Sequence, residues 1–158
     1  MKRRTKIGLM LVGLAVAGLV GASVWYVFSE DYGVSVDSVG WLPPEARGIT
    51  YFRNSLTWMA EFDIEREAFE TWCRRRGMPL RELGEAEHQE MFRCLAMLEH
   101  RGIISPLREP NALETGRGSY KRFIAGDLFY EDRWDNGGGY CAGYDVKEKR
   151  GYYWYGHH

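Results

Sequence analysis

Residues 151–158 read GYYWYGHH. Four aromatic rings and two imidazoles in eight residues suit either a ligand site or the last strand of a sheet. On a strand, successive side chains alternate between faces. Tyr152 and Trp154 then share one side, and Tyr153 and Tyr155 the other. One pair enters a core while the other covers a sheet face or an edge. Cross-strand ring pairs suit a meander that is short of aliphatics. His157 and His158, being adjacent, point to opposite faces of a strand and cannot readily chelate one ion together. The stretch is read as a strand.

Working upstream, KEKRG (147–151) supplies a turn and YCAGYDV (140–146) a returning strand. DNGGG (135–139) offers residues that tolerate positive φ, which is hairpin chemistry, and DLFYEDRW (127–134) alternates as a strand should. Nearer the start, GITYFRN (48–54) and LTWMAEFD (56–63) form a first hairpin, with Asn54-Ser55 as its tight turn. DIEREAFETWCRRRGMP (63–79) predicts a helix. Asp63 serves as N-cap, acidic residues come early and Arg74, Arg75 and Arg76 late, Gly77 takes the left-handed C′ position, and Pro79 blocks extension. A second helix is predicted over 85–102, with Met91, Cys94, Leu95 and Leu98 facing inward. The stretch 103–120 contains Pro106, Pro110, Gly116 and Gly118 and reads as a loop.

The expected fold class is therefore α+β. A single N-terminal transmembrane helix leads into a small domain whose antiparallel sheet of about five strands, ordered ββ-αα-βββ, is covered on one face by two helices.

The transmembrane expectation comes from residues 7–28, IGLMLVGLAVAGLVGASVWYVF, which are 22 residues without a charge. As a helix rising about 1.5 Å per residue they span a ~30 Å hydrocarbon layer. Lys2, Arg3, Arg4 and Lys6 precede the run, and Glu30 and Asp31 follow it. The positive-inside rule places segment 1–6 in the cytoplasm, 29–47 as a linker beyond the membrane, and 48–158 as an extracytoplasmic domain. The alternative is a signal peptide cleaved near Val20-Gly21-Ala22, giving a secreted protein. The apolar run continues six residues past Ala22, which favours an uncleaved anchor.

The 158 residues are 45% hydrophobic and 15% aromatic, enough for a core. Beyond the N-terminal cluster, 17 basic residues stand against 22 acidic ones. A domain near −5 lacks the basic face that nucleic acid requires, so nucleic-acid binding is excluded. Cys73 and Cys94 lie on the two predicted helices. They either meet as a disulfide, which an extracytoplasmic site permits, or pack as small hydrophobes. Cys141 completes an odd count.

No GxSxG elbow, HExxH or calcium loop is present, and no cofactor is implied. Two ligand-binding candidates remain. One is the basic glycine loop GRGSYKR with Arg117, Lys121 and Arg122, whose backbone could cradle an anion. The other is the aromatic set Trp134, Tyr153 and Tyr155, suited to stacking on a glycan. Carboxylates at Glu61 and Asp63, or at Glu131 and Asp132, would have to converge to serve a hydrolase.

WLPPEARGITYFRN…WMAEFDIEREAF (41–69) and DLFYEDRWDNGGGYCAGYDVKEKRGYY (127–153) resemble segments of uncharacterised, N-terminally anchored bacterial proteins of the planctomycete type. The resemblance implies architecture and location and carries no activity. The expected function is a membrane-anchored, noncatalytic module that contacts another envelope protein. The alternatives are a glycan- or anion-binding module and a carboxylate hydrolase.

Overall fold

The computed structural model describes residues 29–104 and 118–157, together with Val16. In chain order these form β1 (Asp31–Val36), β2 (Arg47–Arg53), β3 (Thr57–Asp63), α1 (Arg66–Arg75), β4 (Arg81–Glu82), β5 (Gln89–Phe92), α2 (Cys94–His100), β6 (Tyr120–Phe123), β7 (Leu128–Arg133), β8 (Gly139–Asp145) and β9 (Arg150–Gly156). Seven strands make one antiparallel sheet in the order β1-β2-β3-β9-β8-β7-β4, and β5 pairs with β6 in a separate two-stranded sheet.

The aromatic C-terminal strand sits in the middle of the sheet. β9 pairs along its whole length with β3 on one side and β8 on the other, bringing Ala60 and Ala142 opposite Tyr153. A central strand covered on both faces has no need of a polar side. That is why Tyr152 and Tyr153, adjacent and pointing oppositely, are both buried.

One face carries Phe62, Tyr144 and Tyr153, with α1 laid across them. Phe69 stacks on Tyr144 at 5.5 Å, and Trp72 meets Tyr153 edge-on at 5.4 Å. Burying each such ring is worth on the order of 2 kcal/mol. Gly151 makes this approach possible, because a Cβ there would stand 2.8 Å from the Phe69 ring. The loop between β1 and β2 covers the neighbouring part of this face with Trp41, Leu42 and Ala46.

The opposite face holds Phe52 and Met59 under Cys94 and Leu98 of α2. Beside them, Phe129, Cys141 and Tyr152 lie under Met91 and Phe123 of the β5–β6 pair. Glu61, 1% exposed, also points to this side. It accepts hydrogen bonds from Arg93 Nη2 (2.9 Å) and the Leu95 backbone N–H (3.2 Å), while Arg150 Nε approaches to 4.0 Å. The N-cap residue of α2, Arg93, offers no capping side chain. A carboxylate from β3 therefore meets the positive end of that helix and satisfies one of its free donors.

The expected fold class is corrected in three respects. The sheet has seven strands rather than about five, with a further two-stranded sheet, and the described residues from 29 onward contain two short helices. Those helices lie on opposite faces of the sheet, not together on one. The order is not ββ-αα-βββ, because β5 occupies residues assigned to the second helix and β1 lies in the stretch taken as a linker. Met91 fits a helical stripe with Cys94 and Leu98, but its side chain joins the cluster of Phe123 while theirs join that of Phe52. The extended backbone at Arg93 (φ −79°, ψ 142°) separates the two elements. The expected transmembrane segment 7–28 and its basic flank lie outside the described residues, Val16 apart. Among the described residues no helix is long and apolar enough to cross a membrane.

The helix C-termini follow the sequence signals. Gly77 has φ +73°; its N–H bonds to Arg74 O, and that of Met78 bonds to Cys73 O. This Schellman closure recurs at Gly102 and Ile103 after α2. The N-terminal expectation for the first helix is corrected. Glu65, not Asp63, precedes α1, and Asp63 accepts from Arg150 at 2.6 Å.

Candidate functional site

The sheet register places one residue from each of six strands in a transverse row. Asp31 lies opposite Arg53, Arg53 opposite Trp58, Trp58 opposite Tyr155, Tyr155 opposite Tyr140, and Tyr140 opposite Asp132. Alternation puts Trp58 on the side of Phe62, and Tyr155 on the side of Tyr153. The row therefore shares the face that carries α1. The helix covers the far end of that face, Trp41 covers the middle, and the row lies beyond both. Its rings are half-buried, as is Trp134, which follows β7.

The rings form a connected set. Trp58 and Tyr155 are 6.0 Å apart, Tyr155 and Tyr140 5.0 Å, and Tyr140 and Trp134 5.4 Å. Tyr140 is tilted 36° from Tyr155, whereas Trp58 and Trp134 stand at 76° and 73° to it. Edge-to-face contacts of this kind fix ring orientation. The Arg53 guanidinium lies 4.1 Å over the Trp58 ring and so covers one of its faces and fixes its orientation. Trp41 braces the row from the interior, 5.4 Å from Trp58, and the Arg76 guanidinium donates to its carbonyl at 2.6 Å.

A cleft opens at each end of the row. One, of about 250 Å³, is lined by Ser29, Asp31, Arg53, Asn54, Ser55 and Trp58. The other, of about 300 Å³, lies between the end of α1 and the sheet, lined by Arg76, Gly77, Met78, Tyr130, Asp132, Tyr140 and Tyr153. Beside the first, Tyr51 donates its hydroxyl proton to the lining residue Asp31 (2.8 Å). Burial and that carboxylate push the Tyr51 hydroxyl up to about 12.

The sequence-derived candidates divide. Trp134 and Tyr155 come together at the row, and Tyr153 lies one residue pair further in, buried beneath Trp41 and Trp72. Lys121 is on the opposite side of the sheet, ion-paired with Asp145 and with Glu148 (3.2 Å). Arg122 is exposed on β6, and Arg117 lies outside the described residues. Arg53, Trp58, Tyr140 and Asp31 were not among the candidates, Asp132 entered only as a carboxylate for a hydrolase, and Arg76 only in the basic run at the end of the first helix. All but Asp31, whose strand β1 lies in the stretch read as a linker, sit in elements legible from the sequence, but their alignment depends on which strands are neighbours.

The other chemistries find their residues committed elsewhere. Glu61 and Asp63 both turn to Arg150. Glu131 accepts from Arg133 at 2.5 Å and points away from Asp132. No cluster of histidine, cysteine and carboxylate suited to a metal ion occurs among the described residues. Cys73, Cys94 and Cys141 are free and buried. The disulfide considered for Cys73 and Cys94 is corrected, since the two thiols sit in cores on opposite faces of the sheet. Burial raises all three thiol pKa values, leaving them protonated and unreactive at neutral pH.

No protein-family model, curated protein or solved structure matches this chain.

Proposed function

We propose that this protein is a noncatalytic binding module that displays its aromatic row to a component of the cell envelope. One observation carries the reading. Four half-buried rings from β3, β9, β8 and the β7–β8 turn stand in contact beyond the part of the sheet that α1 covers, with Trp41 packed against Trp58 from the interior side. Rigid aromatic groups flanked by charge are what binding faces use to gain contact area at low entropic cost. Placement at a membrane, with the domain outside the cytoplasm, rests on the sequence of residues 2–28: four cations, then 22 uncharged residues.

The test is made on the full chain in native membranes. A photo-crosslinking phenylalanine at Tyr155 should capture envelope material, and the same probe at Tyr120, exposed on β6, should not. Equal capture at both positions, or none at Tyr155, refutes the binding face. Recovery of the intact chain in soluble cytosol refutes the location.

A further inference from the structure

Resting on the binding-face reading, we propose that the occupant of the row is a neutral, β-1,4-linked glycan strand lying across β3, β9 and β8. Three features of the row select this ligand.

The first is spacing. Trp58, Tyr155 and Tyr140 come from adjacent strands in direct register. Neighbouring strands are about 4.8 Å apart, close to the length of one pyranose unit. A straight glycan ribbon therefore passes one ring per sugar: the Tyr155 and Tyr140 pair, tilted 36° to each other, offers faces, and Trp58, covered by Arg53 and at 76° to Tyr155, offers an edge. Equatorially substituted pyranoses present apolar C–H faces, and aromatic rings stack on such faces.

The second is charge. Each end of the row carries one carboxylate and one guanidinium, Asp31 with Arg53 and Asp132 with Arg76. Either end would repel part of an anionic chain and part of a cationic one. Sugar hydroxyls donate and accept, so they satisfy both partners. The Tyr130 and Tyr140 side chains at the second cleft add further hydroxyls of the same kind.

The third is extent. The two clefts lie at opposite ends of the row, one reaching inward to Trp58 and the other to Tyr140. A ligand that uses both must be extended, as a chain of at least three sugars is.

The test titrates the full chain in detergent micelles with β-1,4-linked glucose and N-acetylglucosamine oligomers, followed by tryptophan fluorescence and calorimetry. Binding of either series should be saturable, strengthen at least ~10-fold from monomer to trimer, and change little with salt, because exposed charge pairs but not ring stacking are screened. Tyr155→Ala should weaken it at least ~10-fold. Asp132→Asn, at an exposed rim position that leaves the core intact, should weaken it several-fold with an unchanged melting temperature. Absence of binding to both series, affinity only for a polyuronate, or wild-type affinity in both variants overturns the glycan assignment. If crosslinking at Tyr155 then yields a protein adduct, the binding face stands and only its occupant is wrong.

Discussion

Glu61 gives the sharpest test of how the second face is assembled. Its carboxylate is 1% exposed and meets three groups from outside β3: Arg93, the Leu95 amide and Arg150. Removing one member of a buried pair costs about 3–5 kcal/mol, because the other charge is left without its partner. The side chains of Arg93 and Arg150 remain 26% and 20% exposed and can turn partly to water. Glu61→Ala should therefore fall at the lower end, about 3 kcal/mol. For a chain of this size that is a fall in melting temperature of roughly 10 °C. Glu61→Gln keeps an acceptor for the Leu95 amide and should lose about half as much. The double variant Glu61→Leu with Arg93→Met removes both charges and should recover most of the loss. Thermal unfolding by circular dichroism measures all three. Hydrogen exchange at the Leu95 amide reports whether α2 frays in Glu61→Ala before the sheet does. A Glu61→Ala variant within 0.5 kcal/mol of wild type, a threshold set by ordinary surface substitutions, would show that hydrophobic packing alone docks α2. So would strict additivity in the double variant.

Three further outcomes are expected. Burial opposes ionisation of Asp145, but Lys121 and the Glu148 and Lys147 backbone N–H groups outweigh it and hold the carboxyl below its ordinary value. A depressed folded pKa contributes stability above the unfolded value, about 3.9, and loses it as pH falls through the folded one. Acid titration of stability should thus steepen below pH ~4, and Asp145→Asn should flatten it; an unchanged profile contradicts the assignment. A thiol reagent should leave Cys73, Cys94 and Cys141 unmodified in the native protein and label all three after denaturation, since each is buried; rapid native labelling of any one would place it at the surface. A Cβ at Gly143 would stand 2.3 Å from the Phe123 ring. Gly143→Ala should cost about 1–3 kcal/mol through overpacking, with partial rescue by Phe123→Leu, and a neutral effect would mean that β6 is not seated on β8.

The strands that depend on local signals were legible. Alternation in 48–54 and 56–63, the Asn54 turn, and the glycine-rich turn at 135–139 correspond to β2, β3, β7 and β8 within a residue or two. The Asn54 side chain accepts the Leu56 and Thr57 amides, as a turn asparagine should. Short strands in polar settings were not legible. β1 is a mostly exposed edge, and β5 and β6 satisfy each other with four residues apiece. At that length a helical spacing such as Met91, Cys94 and Leu98 is indistinguishable from coincidence.

Composition and pattern alone determined that the chain after residue 28 is acidic, aromatic and sheet-forming, and that GYYWYGHH carries a strand. Local alternation is a property of neighbouring residues, so it survives without any knowledge of the rest. Tertiary structure decided that this last strand enters the middle of the sheet, that the two helices take opposite faces, and that Arg53, Trp58, Tyr155, Tyr140 and Asp132 stand in line. Strand order joins residues almost a hundred positions apart. It is set by which buried faces fit together, a long-range packing choice that no window along the chain contains.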